Sequence, residues 1–216
     1  MHIEPGVLVA TKIAAANVVA LGLVAGAAWL ALRRPALLLR AAFAAAFFTL
    51  CMQSFHLKVG PSELHFVGAM PMYLALGLVP TLLGFAFGLL LQGLLFEPAD
   101  LLHVSVNTLS LALPLLALHA TLGQRLQRVD LGAVLRLDAA YYAGVTAMVG
   151  FWLSIGEVAT PLGEWARFAA SYLAVVALEP AITVAVLLGV ARLRRQRWAA
   201  LCFDTRHANR LALGGR

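Results

Sequence analysis

The histidines carry most of the chemistry open to this 216-residue chain, and their positions decide which of them matter. His2 directly follows Met1 in the opening MHIEPG. A free α-amine, the amide nitrogen of residue 2 and Nδ1 of its imidazole can close fused chelate rings around one metal ion. Nitrogen donors set in a plane leave one place for a further ligand. That arrangement suits Ni(II) and Cu(II), and by extension Co(II), better than Zn(II), which prefers a tetrahedron. The remaining donor must come from elsewhere in the chain.

A partner is available in FHLKVGPSELHFVGAM. Gly60, Pro61 and Ser62 read as a turn and helix cap, with Ser62 as N-cap, so that His65 projects from the first turn of a third helix. Glu63 on the same turn would orient an imidazole by hydrogen bonding, although an acid near a helix N-terminus is explained equally well by the helix dipole. His56 and His103 are expected at the same end of the molecule. His119 falls near the opposite end of the fifth helix, and His207 in the tail.

The elements that must position these residues are membrane helices. The chain is 62% hydrophobic and 12% charged, with mean hydropathy +0.89, against about 25% charged residues in soluble domains. A crossing needs roughly 20 apolar helical residues. Apolar stretches occur at about Ile13–Leu32, Pro35–Phe55, Leu64–Val79, Thr81–Leu95, Leu101–Leu122, Leu131–Leu153 and Arg167–Val190. The expected fold is all-α, a polytopic bundle of about seven transmembrane helices. Pro80 should break the third from the fourth. The net charge of +6 does not point to nucleic acid, because the arginines sit in short clusters between apolar runs. Cys51 and Cys202 are too differently placed for a disulfide framework or a zinc site.

The loops fall into two sets. One holds Arg33, Arg34, Arg40, Arg125, Arg128, Arg192, Arg194, Arg195 and Arg197. The other holds Glu4, Glu63, Glu97, Asp100, Glu157 and Glu164, with Lys12, Lys58 and Arg167 as its cations. Because Lys and Arg are retained in the cytoplasm, this places the N-terminus outside and the C-terminus inside. The start lacks the basic n-region and cleavage site of a signal peptide, so Met1 is expected to survive. The organisation expected is a single transmembrane metal-binding domain over 1–198, with 1–12 folding back into it, and a basic cytoplasmic tail over 199–216 near anionic headgroups. Small residues four apart (Ala16 and Ala20, Gly22 and Gly26, Ala42 and Ala46, Gly84 and Gly88) allow close helix packing, either within the bundle or against another subunit.

MHI with a glycine soon after, then HFVGA opening a membrane helix, then LLLQGLLFEPADLL and VNTLSL together resemble the cobalt and nickel substrate-binding subunits of energy-coupling factor transporters, the CbiM/NikM family. The motif detail covers residues 1–6 and 60–115. Ser110 departs from the pattern, standing where a second asparagine is common. The resemblance implies a metal held by the terminal amine of Met1, the backbone nitrogen and imidazole of His2, and the imidazole of His65. Glu63, Gln92, His103 and Asn107 are candidates for supporting roles.

It also implies capture of Co(II) or Ni(II) as cargo, with no cofactor, in a bacterial plasma membrane. The implied partners are a transmembrane coupling subunit, two cytoplasmic ATPases and a small accessory membrane subunit. The chain has no G-x-x-x-x-G-K-[ST] segment, so ATP hydrolysis must come from partners. Two rival readings are an intramembrane hydrolase, for which H-E-x-x-H spacing is missing, and a stand-alone permease. A permease would need midplane ionisable residues; Arg136, Asp138 and Glu179 are the candidates, though packing pairs or snorkelling explain them.

Overall fold

The computed structural model describes residues 6–59, 62–157 and 160–211, with only the backbone of His56 and Lys58. Met1, His2, Glu4 and Pro5, the Gly60-Pro61 turn and residues 212–216 lie outside the described residues. The elements run α1 (Ala10–Leu32), α2 (Pro35–Ser54), β1 (His56–Val59), β2 (Ser62–His65), α3 (Ala69–Leu76), α4 (Leu78–Leu95), α5 (Val104–Leu118), α6 (Leu131–Ser154), α7 (Leu162–Leu193), α8 (Ala199–Cys202) and α9 (Thr205–Asn209). A 3₁₀ turn, Pro98–His103, leads into α5, and a π turn, His119–Gly123, ends it.

Among the described residues five segments are long and apolar enough to span a bilayer: Ala10–Leu32, Pro35–Ser54, Leu78–Leu95, Pro98–Gly123 and Leu162–Leu193. The helix α6 has 24 residues but carries Arg136 and Asp138. The third expected span differs most. In place of a helix over 64–79 the chain forms a strand, an extended link and the eight-residue helix α3. Gly68 has φ +65°, outside the right-handed helical region, so no helix can start before Ala69. The two short runs HLKV and SELH flank Gly60-Pro61 and pair as a hairpin instead.

All eight residues of α3 are buried. It forms the axis of the bundle, surrounded by α2, α4, α6, α7 and α9. A break does follow it, but it lies at Gly77, with φ +97°, and not at Pro80 where it was expected. Pro80 then sits in the first turn of α4, where its missing N–H has no helical partner to lose.

The small-residue pairs divide in two. On α4, a Cβ at Gly84 would lie 2.5 Å from the Ala44 Cβ, and one at Gly88 2.4 Å from the Phe48 ring, so GFAFG is a close contact with α2. Ala16 and Ala20 are likewise buried, whereas Gly22, Gly26, Ala42 and Ala46 face outward. Ser110 has a local role: Trp152 Nε1 on α6 donates to its hydroxyl at 2.9 Å, tying α5 to α6.

The acidic loops gather at one end of the bundle. There the Glu157 N–H donates to Val7 O at 3.0 Å and the Lys12 ammonium donates to Ile155 O. The arginine-rich loops gather at the other end, together with the described part of the tail. That tail packs against the helices: Arg40 donates to Ala200 O at 2.6 Å, the Asp204 N–H donates to Ala75 O at 2.7 Å, and the Val129 N–H donates to Arg210 O at 3.0 Å.

Candidate metal centre

His65 is the last residue of β2, directly across from His56 in the antiparallel register. It therefore does not project from a helix, and Ser62 is a strand residue rather than an N-cap. The strand still delivers what the site needs. Residues two apart on a strand share a face, and Glu63 Oε2 stands 3.4 Å from His65 Nε2. The His65 side chain is 3% exposed and that of Glu63 33%, so a carboxylate at the surface borders a buried imidazole. A carboxylate on one ring nitrogen fixes tautomer and orientation and raises ligand basicity.

The segment after His65 is held from three sides. At Gly68 a Cβ would lie 2.7 Å from Phe47 Cε1 and 3.1 Å from Cys51 Sγ, so glycine is required there by space as well as by φ. The backbone N–H of Met70 donates to Glu179 Oε1 at 3.0 Å, and the N–H groups of Gly68 and Ala69 are directed at the same carboxylate. Tyr142 donates its hydroxyl to Glu179 Oε2. Tyr172 lies against the backbone of His65. In HFVGA, then, the glycine lets the chain turn into α3 beneath the histidine, and Glu179 takes up the N–H groups that the turn exposes.

Glu179 is thus held in packing pairs, one of the two explanations that the sequence offered for the ionisable residues on α6 and α7. Only Arg136 is exposed; Asp138 and Glu179 are 0% exposed. Glu179 precedes Pro180 in the middle of a long apolar helix, a position where a charge is costly.

Of the supporting candidates, Gln92 at the end of α4, His103 at the start of α5 and Asn107 one turn further are all buried at the same end of the bundle as β2. The leader arrives at that end too. Gly6 takes φ +93°, Val7 accepts from the loop after α6, and Leu8 is 5% exposed. Among the described residues no group of three or more His, Cys, Asp or Glu is placed to hold a metal ion. Met1 and His2, the other expected ligands, lie outside the described residues.

The opposite end holds the remaining histidines. Tyr73 Oη and His119 Nδ1 are 2.7 Å apart, and the His207 ring is 6.1 Å from that of Tyr73. Burial holds the His207 imidazole below its ordinary range; Asp204 opposes this, while Arg206, Arg210 and His119 add to it. Burial alone would raise the Asp204 carboxyl, but the side chain and backbone N–H of Arg206 bind it and hold it below the usual carboxylate range. This cluster locks the tail beneath α3. It contributes nothing to the His65 site.

Over residues 2–197 the chain matches the family described as the cobalt uptake substrate-specific transmembrane region. The chain belongs to the CbiM family. CbiM proteins are membrane components of metal uptake rather than enzymes, and the multi-pass apolar architecture described above agrees. Among solved structures, a crystal structure of a transition metal transporter superposes with a TM-score of 0.68 at 19% identity, covering 91% of this chain and 95% of that one. At that identity the likeness speaks for the fold. A search of curated proteins finds no match.

Proposed function

We propose that this CbiM protein is the substrate-capture subunit of an ATP-driven importer of the energy-coupling factor type, with Co(II) or Ni(II) as cargo. Capture takes place at the acidic end of the bundle, which faces outward, with the arginine-rich end in the cytoplasm. The metal is held by the α-amine of Met1, the amide nitrogen and imidazole of His2, and the imidazole of His65. The observation that carries this is a buried imidazole, bordered by Glu63, at the end of the bundle where the N-terminal leader docks. Glu63 orients His65, while Gln92, His103 and Asn107 line the approach. The donor set is all nitrogen, which favours Co(II) and Ni(II) over hard cations that take oxygen ligands.

Energy comes from partners, a transmembrane coupling protein and two cytoplasmic ATPases, with a small accessory membrane subunit. The outward Gly22/Gly26 and Ala42/Ala46 faces are the docking candidates. A stand-alone permease would line a path with its midplane acids, but Glu179 commits both carboxylate oxygens to α3 and Tyr142. The test is metal accumulation by cells expressing the chain with its partners. His2→Ala and His65→Ala each abolish accumulation while the protein remains in the membrane; wild-type accumulation by either variant refutes the assignment.

A further inference from the structure

Asp138, in the third turn of α6, and Glu179, at the middle of α7, bear on one another across the packed pair of helices. Tyr142, one helical turn beyond Asp138, donates to Glu179 Oε2, which fixes the two acids on facing stripes. Glu179 is well supplied with donors: the N–H groups at the start of α3 and the Tyr142 hydroxyl all point at it. A helix N-terminus that directs N–H groups and a positive dipole end at a carboxylate stabilises its anion. Asp138 stands in the opposite situation. It is 0% exposed, and among the described residues neither of its carboxyl oxygens has a hydrogen-bond partner.

The groups that bear on Glu179 are Asp138 itself, Cys51 from α2, Tyr141 and Tyr142 from α6, and Tyr172 from α7. None is a cation. A buried, unpartnered carboxylate beside a second carboxylate is far higher in energy than the neutral acid, so the pair carries one negative charge rather than two. The donors decide where that charge resides.

We propose that Asp138 and Glu179 form a proton-binding site in the membrane core that controls α3: the pair holds one proton, on Asp138, and a second proton arriving at Glu179 unpins the start of α3. Neutral Glu179 loses the charge that grips Gly68, Ala69 and Met70, and the link from α3 to the His65 strand loosens. Thr183, 0% exposed, one turn after Glu179 and with no partner for its hydroxyl among the described residues, extends the polar stripe toward the arginine-rich end. The site goes beyond metal capture, and rests on that reading only in its consequence for His65.

The test uses the purified full chain without metal, so its outcome is separate from that of the capture assay. At neutral pH the infrared spectrum of the wild type contains the carbonyl stretch of a protonated carboxylic acid, which Asp138→Asn removes and Glu179→Gln leaves in place. A wild type lacking the band, or a band lost in Glu179→Gln and kept in Asp138→Asn, overturns the assignment. Hydrogen exchange at the amides of residues 68–70 provides the second readout. Glu179→Gln speeds it about tenfold to a hundredfold, the range for losing a hydrogen bond to a charged group, while Asp138→Asn leaves it at the wild-type rate. In the wild type, acidification raises exchange at 68–70 relative to residues 73–76 of the same helix. Unchanged protection in Glu179→Gln, or a constant ratio on acidification, overturns the control of α3.

Discussion

Replacing Gly68 with alanine attacks the hinge between β2 and α3 by two routes that can be separated. The first is conformational. At φ +65° a residue with a Cβ costs about 1–2 kcal/mol more than glycine. The second is steric: the new Cβ would sit 2.7 Å from Phe47 Cε1 and 3.1 Å from Cys51 Sγ, and overpacking a well-filled site costs roughly 1–3 kcal/mol. Together they amount to about 2–5 kcal/mol. The predicted result is a large fall in melting temperature of the detergent-solubilised protein and loss of cobalt retention. Combining Gly68→Ala with Phe47→Ala should recover the steric part and leave the conformational part, a coupling that a double-mutant cycle isolates. Gly68→Ala with wild-type melting and retention would refute the claim that this glycine sets the entry to α3.

Glu63→Gln removes the carboxylate beside His65 and should weaken cobalt affinity by about tenfold to a hundredfold with little change in stability, as measured by titration calorimetry. Ser110→Ala strips the acceptor from the buried indole N–H of Trp152 and should cost about 1–3 kcal/mol of stability, read by thermal unfolding. The folded-state value of His207 is depressed below the ordinary 6.5, so its contribution to stability is present above 6.5 and lost as pH falls through the folded value. His207→Gln should therefore flatten the fall in melting temperature on the acid side of that window, while the wild type keeps it.

The parts of this molecule that were legible in the sequence are those fixed by one-dimensional pattern. Long apolar runs bounded by arginines or acids gave α1, α2, α4, α5 and α6 nearly to their ends, and α7 except for its first turn and last residues, because lipid demands an unbroken ladder of backbone hydrogen bonds. That Glu63 would border the His65 imidazole was readable from their spacing, and the two are 3.4 Å apart.

What was not legible depends on contacts far apart in the chain. The strand at Ser62–His65 has the hydropathy of a helix start, and only pairing with His56–Val59 and the positive φ at Gly68 exclude a helix. Glu179 read as a member of a packing pair, but its partners at the start of α3 lie more than a hundred residues away in sequence. The tail read as a loose basic segment because its partners, Arg40, Ala75 and Tyr73, lie on three other elements.

Whether the first residue's own nitrogen is a metal ligand is read by titrating Co(II) into two otherwise identical tag-free proteins, one with a free α-amine at Met1 and one N-acetylated there. Acetylation removes the amine as a donor and adds no new one, while His2, His65 and every helix are preserved. Tight one-to-one binding is expected of the first protein, and its loss in the second. Equal affinity in both would contradict that assignment.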